Sequence, residues 1–293
     1  MSRSASTYQF LERVFGRATL WRVGRWLYCG ARRELSAALD ANGEYAIQRR
    51  MAAHLATQST RAPVILDVGA NLGAWSRPFG EALAAAGVDG TRLIAFEPGP
   101  GQRTRLEVNL GNAPGFDEVT ILPCAIGAEA GQGEFAITGE ATGSSGLVPE
   151  TGVDDAAEVL SVEIRTLDDV LEELGITEVD YVKVDTEGND PNVLAGAQNA
   201  LRSGRIGAIQ FEYNYLWLNN RFSLGQIFRM IDGMDYRLGK IVPNGVELYD
   251  SWHFELDRFI MTNFILIRSD LCEALGAVPH QFTSENVSEP IAR

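Results

Sequence analysis

Histidine and cysteine are scarce in this chain of 293 residues, with three of each and no two of them at metal-ligand spacing. Cys29, Cys124 and Cys272 are odd in number and far apart, which argues against a disulfide framework and fits reduced packing residues of a cytoplasmic protein. His54, His253 and His280 are isolated as well, so a zinc site has no ligands to draw on. No apolar run is long enough to span a bilayer. The first residues show neither a continuous apolar stretch nor a small-residue cleavage site, so no secretory signal is expected. Positive charge is also short: 25 Lys and Arg against 39 Asp and Glu leave a net charge of −14. An acidic surface does not track a nucleic-acid backbone, and the chain lacks the Asn-Pro-Pro-Tyr type of tetrapeptide common in base-modifying enzymes. Nucleic acid is not expected as a partner. Internal repeats are absent.

The charge that is present is unevenly spread. Residues 1–61 carry ten arginines against Glu12, Glu34, Asp40 and Glu44, about +6, which leaves about −20 for the remainder. Leu11, Val14, Phe15, Ala18 and Trp21 recur at helical spacing, with Arg13, Arg17, Arg22 and Arg25 between them. Gly16, Gly24 and Gly30 weaken that helix. Three roles fit it. It can cap the main domain or a second subunit of a homo-oligomer, it can bring residues 1–33 against an anionic membrane surface, or it can act as a lid over a substrate. A second helix, Glu44–Ala56, leads to a turn at Ser59–Pro63, where the main domain is expected to start.

From residue 64 onward, apolar runs stop abruptly at carboxylates and glycines. In VILDVGANLG (64–73), Val64–Val68 reads as a buried strand, with Asp67 near its end and Gly69 and Gly73 bracketing a tight turn into a helix. In LIAFEPGP (93–100), Glu97 ends the next strand, where a carboxylate can accept both hydroxyls of a ribose. A dinucleotide fingerprint would need glycine where Asn71 stands, so a pyrophosphate would meet side chains. A nucleoside ligand without phosphates fits better, and S-adenosylmethionine is the commonest of these.

Strands and helices alternate beyond this point. Helices are expected at Ala74–Ala86, Gln102–Leu110, 166–174, Pro191–Ser203 and Leu224–Met234, the third opened by a Thr166 N-cap and Asp168 and Asp169. Strands are expected at 92–98, 119–127, 181–188, 206–214, 236–242 and 259–268, with an added antiparallel pair at 133–138 and 160–166. Residues 139–152 read as a flexible loop, in which Ser144 and Ser145 are candidates for closing over the site, and 271–293 as a loosely held polar tail. The pattern predicts an α/β fold: a Rossmann-like seven-stranded sheet, mostly parallel with an antiparallel last strand, spanning 62–270 behind an N-terminal helical extension at 1–61.

Two further strand ends carry chemistry. Lys183, Asp185 and Glu187 alternate along KVDTEGND (183–190), so they share one face while the strand is extended. IQFEYN (209–214) ends with Glu212 and Asn214 on what should be the adjacent strand. Two mechanisms stay open. One carboxylate acts as general base on a substrate hydroxyl, or Asp185, Glu212 and Asn214 hold Mg²⁺. The metal-free reading is preferred, because no third clear carboxylate is visible.

The motifs VILDVGANLG, IAFEPGP, PCAIG (123–127), TLDDVLEEL (166–174), YVKVDTEGND (181–190) and IQFEYN occur in the order and spacing of the FkbM methyltransferases, which the chain resembles over roughly 63–270. Asp190 stands where Glu is more usual in that family. The resemblance implies S-adenosylmethionine-dependent O-methylation of a sugar, glycolipid or polyketide hydroxyl. It implies that Asp67, Gly69, Asn71, Gly73 and Glu97 bind the cofactor and that Ala125 and Ile126 line its adenine. Lys183, Asp185 and Glu212 would face the reacting centre. N-methylation of a small amine, or a non-catalytic ligand-binding or scaffold module of the same fold, are the competing readings.

Overall fold

Every residue of Val64–Val68 is buried, because this five-residue strand has a layer of helices on each face. The computed structural model describes residues 3–34, 38–58, 61–137, 145–148 and 158–291, with the backbone alone for 3–6. Along the chain run α1 (Arg3–Phe15), α2 (Arg17–Ala31), α3 (Glu44–Leu55), β1 (Val64–Val68), α4 (Ser76–Ala86), β2 (Arg92–Phe96), α5 (Pro100–Leu110) and β3 (Glu118–Leu122). A small group follows: β4 (Ala125–Ile126), β5 (Gly131–Ile137), β6 (Gly146–Leu147) and β7 (Glu158–Arg165). The remainder comprises α6 (Leu167–Glu173), β8 (Val179–Val184), α7 (Asp190–Ala195), α8 (Gln198–Arg202), β9 (Ile206–Tyr213), α9 (Leu224–Met230), β10 (Tyr236–Val242), β11 (Gly245–Tyr249), β12 (Thr262–Arg268), β13 (Ala277–Phe282) and β14 (Ser288–Pro290).

The main sheet has the order β14-β13-β11-β10-β12-β9-β8-β1-β2-β3. Strands β3, β2, β1, β8 and β9 are mutually parallel. β12 lies antiparallel between β9 and β10. The Rossmann-like sheet expected from the sequence is present, and so is its antiparallel last strand. Ten strands replace the expected seven. One addition, β11, forms a hairpin with β10 around Pro243-Asn244, and the others, β13 and β14, come from the stretch read as a loose tail. Ala277 and Leu275 of that stretch are buried.

Other boundaries also move. The expected strand 119–127 breaks at Pro123-Cys124, sending Ala125 and Ile126 into the second sheet, of order β4-β7-β5-β6. Pro123 has no N–H to continue the first ladder. The helix expected over Pro191–Ser203 is two short ones, and Phe259–Met261 lie outside β12. Within the loop expected at 139–152, Gly146–Leu147 pairs with β5; residues 139–144 and 149–152, including Ser144, lie outside the described residues.

The alternation of β1 divides the core. Val64, Leu66 and Val68 pack with α6–α9, whereas Ile65 packs with α3, α4 and α5. Helix α3 is a full member of that second face: Ile47, Met51 and Leu55 are buried among Trp75, Phe79, Ile241 and Ala277. The boundary expected at residue 61 therefore falls after a helix that the core contains. By contrast α1 and α2, which meet at a bend at Gly16, leave their aromatics exposed instead of packing them on the domain. Ile47→Ala should lower unfolding stability by about 2–5 kcal/mol, read from urea denaturation. An unchanged midpoint would show that α3 does not belong to the cooperative core.

Candidate active site

The carboxyl ends of β1, β2, β8 and β9 meet where the chain reverses direction across the sheet, the usual place for a ligand in such folds. There a cavity of about 250 Å³ opens. Its floor is the loop after β1. The N–H groups of Gly69 and Ala70 both donate to the Phe96 carbonyl (3.1 Å each), and the Asp185 N–H donates to the Val68 carbonyl (2.9 Å). This pins the loop tightly between β2 and β8. A Cβ on Gly69 would stand 2.0 Å from the Asp185 carbonyl oxygen, and φ there is +82°. Gly73, at φ +80°, would push a Cβ to 3.0 Å from Leu106. Glycine is required at both positions for reasons of space and backbone angle.

Glu97 is held from two sides. Its Oε2 accepts the Asn71 N–H and its Oε1 accepts the Gly99 N–H, both at 2.8 Å. Asn71 sits in the left-handed region at φ +49°, which aims its N–H at the carboxylate. Burial raises the Glu97 pKa, against the pull of the two N–H groups and Arg103. Each carboxylate oxygen keeps a further lone pair for a ligand hydroxyl. Beside it lies a smaller apolar cleft of about 30 Å³, lined by Phe96, Ala125, Ile126, Phe135 and Leu147. The Ser145 hydroxyl borders both cavities and, like the Trp75 indole N–H on the wall of the larger one, is buried without a hydrogen-bond partner among the described residues.

The far side of the cavity is acidic. Asp67 is buried and accepts the Ser76 hydroxyl at 2.5 Å; burial pushes its pKa to about 7, with Ser76 and Lys183 working against the rise. The Lys183 ammonium is fully buried and is the lone cation among the described lining residues. It lies 3.3 Å from Asp185, 3.3 Å from the Asn263 side-chain oxygen and 3.6 Å from Glu44. Burial works to depress its pKa, but Asp185, Glu44 and Glu212 outweigh it and hold the ammonium above its usual range. Glu212 rises to about 8 through burial and the Asp185 charge, and Glu187 to about 7 for the same two reasons.

The structure thus brings Lys183, Asp185 and Glu212 to one cavity with Asp67, Gly69, Asn71 and Glu97, and sets Ala125 and Ile126 in the adjoining cleft. Gly73 lies behind the loop, against Leu106 and Leu110. A third carboxylate is present after all, since Glu187 lines the cavity. Asn214 does not line it; its amide donates to Glu212 (2.5 Å) and its oxygen accepts the Leu216 N–H (2.8 Å). Among the described residues no group of three or more His, Cys, Asp or Glu is placed to hold a metal ion. Sequence reasoning missed the network behind Lys183. Glu44 accepts from Gln210 (2.5 Å) and Asn263 (3.0 Å), and Gln210 accepts from Tyr181 (2.7 Å). Gln210 and Asn263 were detectable as polar residues inside apolar strands. Glu44, at the start of a helix, carried no such signal.

The family model described as the Methyltransferase FkbM domain matches residues 67–238. The chain belongs to the FkbM methyltransferase family. It is 30% identical over 197 residues to the 2-O-methyltransferase NoeI of Sinorhizobium fredii, which covers 63% of this chain and 76% of that protein. It is 28% identical over 166 residues to the hexuronic acid methyltransferase AglP of Haloferax volcanii, covering 56% of this chain and 60% of AglP. The solved FkbM methyltransferase of Methylobacillus flagellatus KT aligns with a TM-score of 0.42 at 16% identity, over 72% of this chain and 47% of that one.

As an FkbM enzyme, this protein is an S-adenosylmethionine-dependent methyltransferase, and its cavity fits that cofactor. The open lone pairs of Glu97 suit a ribose, and the apolar cleft lies beside them. The carboxylates of the larger cavity suit the ammonium and sulfonium charges, and Gly69 leaves the space that a Cβ would fill. The match begins at Asp67, so Glu44 and α3 lie outside the FkbM segment, as does Asn263.

These acids make the free protein pH-sensitive. Asp67, Glu187 and Glu212 have folded-state pKa values raised above their unfolded ones. Their contribution to stability is therefore full below about pH 4 and is lost as pH climbs through about 7 to 8. The thermal midpoint of the cofactor-free protein should fall between about pH 5 and about pH 8, and Glu212→Gln should flatten that fall. A midpoint that rises over this range would contradict the assignment of buried, protonated acids.

Proposed function

We propose that this enzyme methylates a hydroxyl group of a sugar, glycolipid or polyketide-type natural product. The observation that carries the reading is the pairing of Asp185 with Glu212 beside the cofactor half of the cavity. A hydroxyl is a weak nucleophile with a high pKa and needs a proton acceptor in position. Asp185 is the more open of the two, 40% exposed, with the Lys183 ammonium at 3.3 Å fixing its direction. Glu212, shifted to about 8, holds a proton near neutrality and can donate a hydrogen bond to the acceptor.

When bound, the cofactor supplies an electrophilic methyl group whose leaving group is a neutral thioether. The chain's own residues do the rest. Glu97 and the Gly69–Gly73 loop orient the donor, Asp185 takes the hydroxyl proton as the oxygen–carbon bond forms, and Trp75 and Ser145 wall the cavity against water. The relatives' names, one a 2-O-methyltransferase and one acting on a hexuronic acid, support a sugar hydroxyl over other acceptors. An amine acceptor is the second reading, favoured by four carboxylates, Asp67, Asp185, Glu187 and Glu212, around a single ammonium.

Two measurements test this. Glu97→Ala should weaken S-adenosylmethionine binding by about 1.5–3 kcal/mol in calorimetry, through loss of a charge-assisted bidentate contact. Unchanged affinity would remove Glu97 from the cofactor site. Asp185→Asn should keep cofactor affinity while turnover on a methyl-accepting metabolite extract falls by about a hundredfold or more. Mass spectrometry of the labelled product then identifies oxygen or nitrogen as the acceptor atom. Loss of wild-type activity on chelation, restored by Mg²⁺, would replace the general base with a metal mechanism.

A further inference from the structure

The first two helices carry a surface that the methyl-transfer cavity does not use. Cys29 is the one buried residue of α2, and the helix is anchored just beyond its end. There Arg32 pairs with Glu34 and Glu255, and the Lys240 ammonium donates to the Arg32 carbonyl at 2.8 Å. Ahead of that anchor, Phe10, Val14 and Phe15 on α1 and Trp21, Trp26 and Leu27 on α2 are 55–68% exposed. On α2, Leu20, Val23 and Leu27 share an arc with Trp21 and Tyr28; Arg25 falls on its flank, while Arg22 and Trp26 lie outside it on either side of the helix's opposite face. Arg13, Arg17, Arg22 and Arg25 are exposed and make no ion pair among the described residues. Glu12 is the only acid between residues 7 and 31.

We propose that α1 and α2 dock this protein on the headgroup layer of an anionic lipid bilayer. An amphipathic helix rich in arginine and tryptophan buries its aromatics at the headgroup boundary while its guanidinium groups meet anionic lipid. Residues 62–293, at about −20, are repelled by the same surface, so the approach is oriented through these helices. Among the described residues no helix is long and apolar enough to cross the bilayer, so the contact is peripheral.

The test is vesicle flotation with the full chain, comparing pure phosphatidylcholine with phosphatidylcholine carrying about one third phosphatidylglycerol. Binding to the anionic vesicles should be about tenfold stronger or more, should fall with added salt and should blue-shift tryptophan fluorescence. Trp21→Ser with Trp26→Ser, and separately Arg13, Arg17, Arg22 and Arg25 each →Gln, should each weaken binding about tenfold with the thermal midpoint unchanged, because these side chains are exposed. Absence of wild-type binding, equal binding to neutral vesicles, or variants that bind like wild type would overturn the proposal. So would a dimer in light scattering that the tryptophan variant dissociates, without vesicle binding, since the occupant would then be a second copy of this chain.

Discussion

The buried ammonium of Lys183 is the constraint around which this molecule is arranged. A cation taken out of water is tolerated only where oxygens replace its hydration. Here Asp185, Asn263 and Glu44 supply them, from the loop just after β8, from β12 and from α3. Gln210 and Tyr181 extend the network to β9 and back across β8. One charge therefore ties three strands and a helix together from positions as far apart as 44 and 263, and fixes where Asp185 points. Asp67, Glu187 and Glu212 all shift upward, first because they are buried; at Glu187 and Glu212 the Asp185 charge then adds to burial more than this single ammonium offsets.

The cofactor half rests on backbone hydrogen bonds instead. The Gly69–Gly73 loop is sewn to Phe96 through main-chain groups, the end of β1 is held to Asp185 through the Val68 carbonyl, and Glu97 is aimed by two N–H donors. Main-chain donors set the geometry at this end of the cavity, whereas side-chain ion pairs set it at the acidic end. The enlarged sheet edge enters through α3. Strands β10, β11 and β13 contribute Ile241, Val246, Leu248 and Ala277 to the surface that receives Ile47 and Met51. That packing carries Glu44 to Lys183.

Much of the site was legible because its motifs are local. A buried strand, a glycine turn and a terminal carboxylate lie within ten residues in VILDVGANLG, and β2 repeats the arrangement at Glu97, so periodicity and turn chemistry suffice. The hairpin at Pro243-Asn244-Gly245 carries turn residues that signal a hairpin, yet β11 was not among the strands expected. The strand Ala277–Phe282 has no such signal. Its sequence, AVPHQF, contains a proline and only broken alternation, and it is held by pairing with β11 and burial of Ala277. Tertiary contact overrode weak local preference.

The sequence by itself determined the parallel core and the placing of Asp67, Glu97, Lys183 and Asp185 at strand ends, because each follows from residues within a single strand and its turn. Only the tertiary structure decided that Glu44 completes the Lys183 site, that Asn214 supports Glu212 instead of facing the cavity, and that the aromatics of α1 and α2 point to solvent. These depend on which distant surfaces meet. Burial and pairing between residues two hundred positions apart leave no periodic trace in the chain.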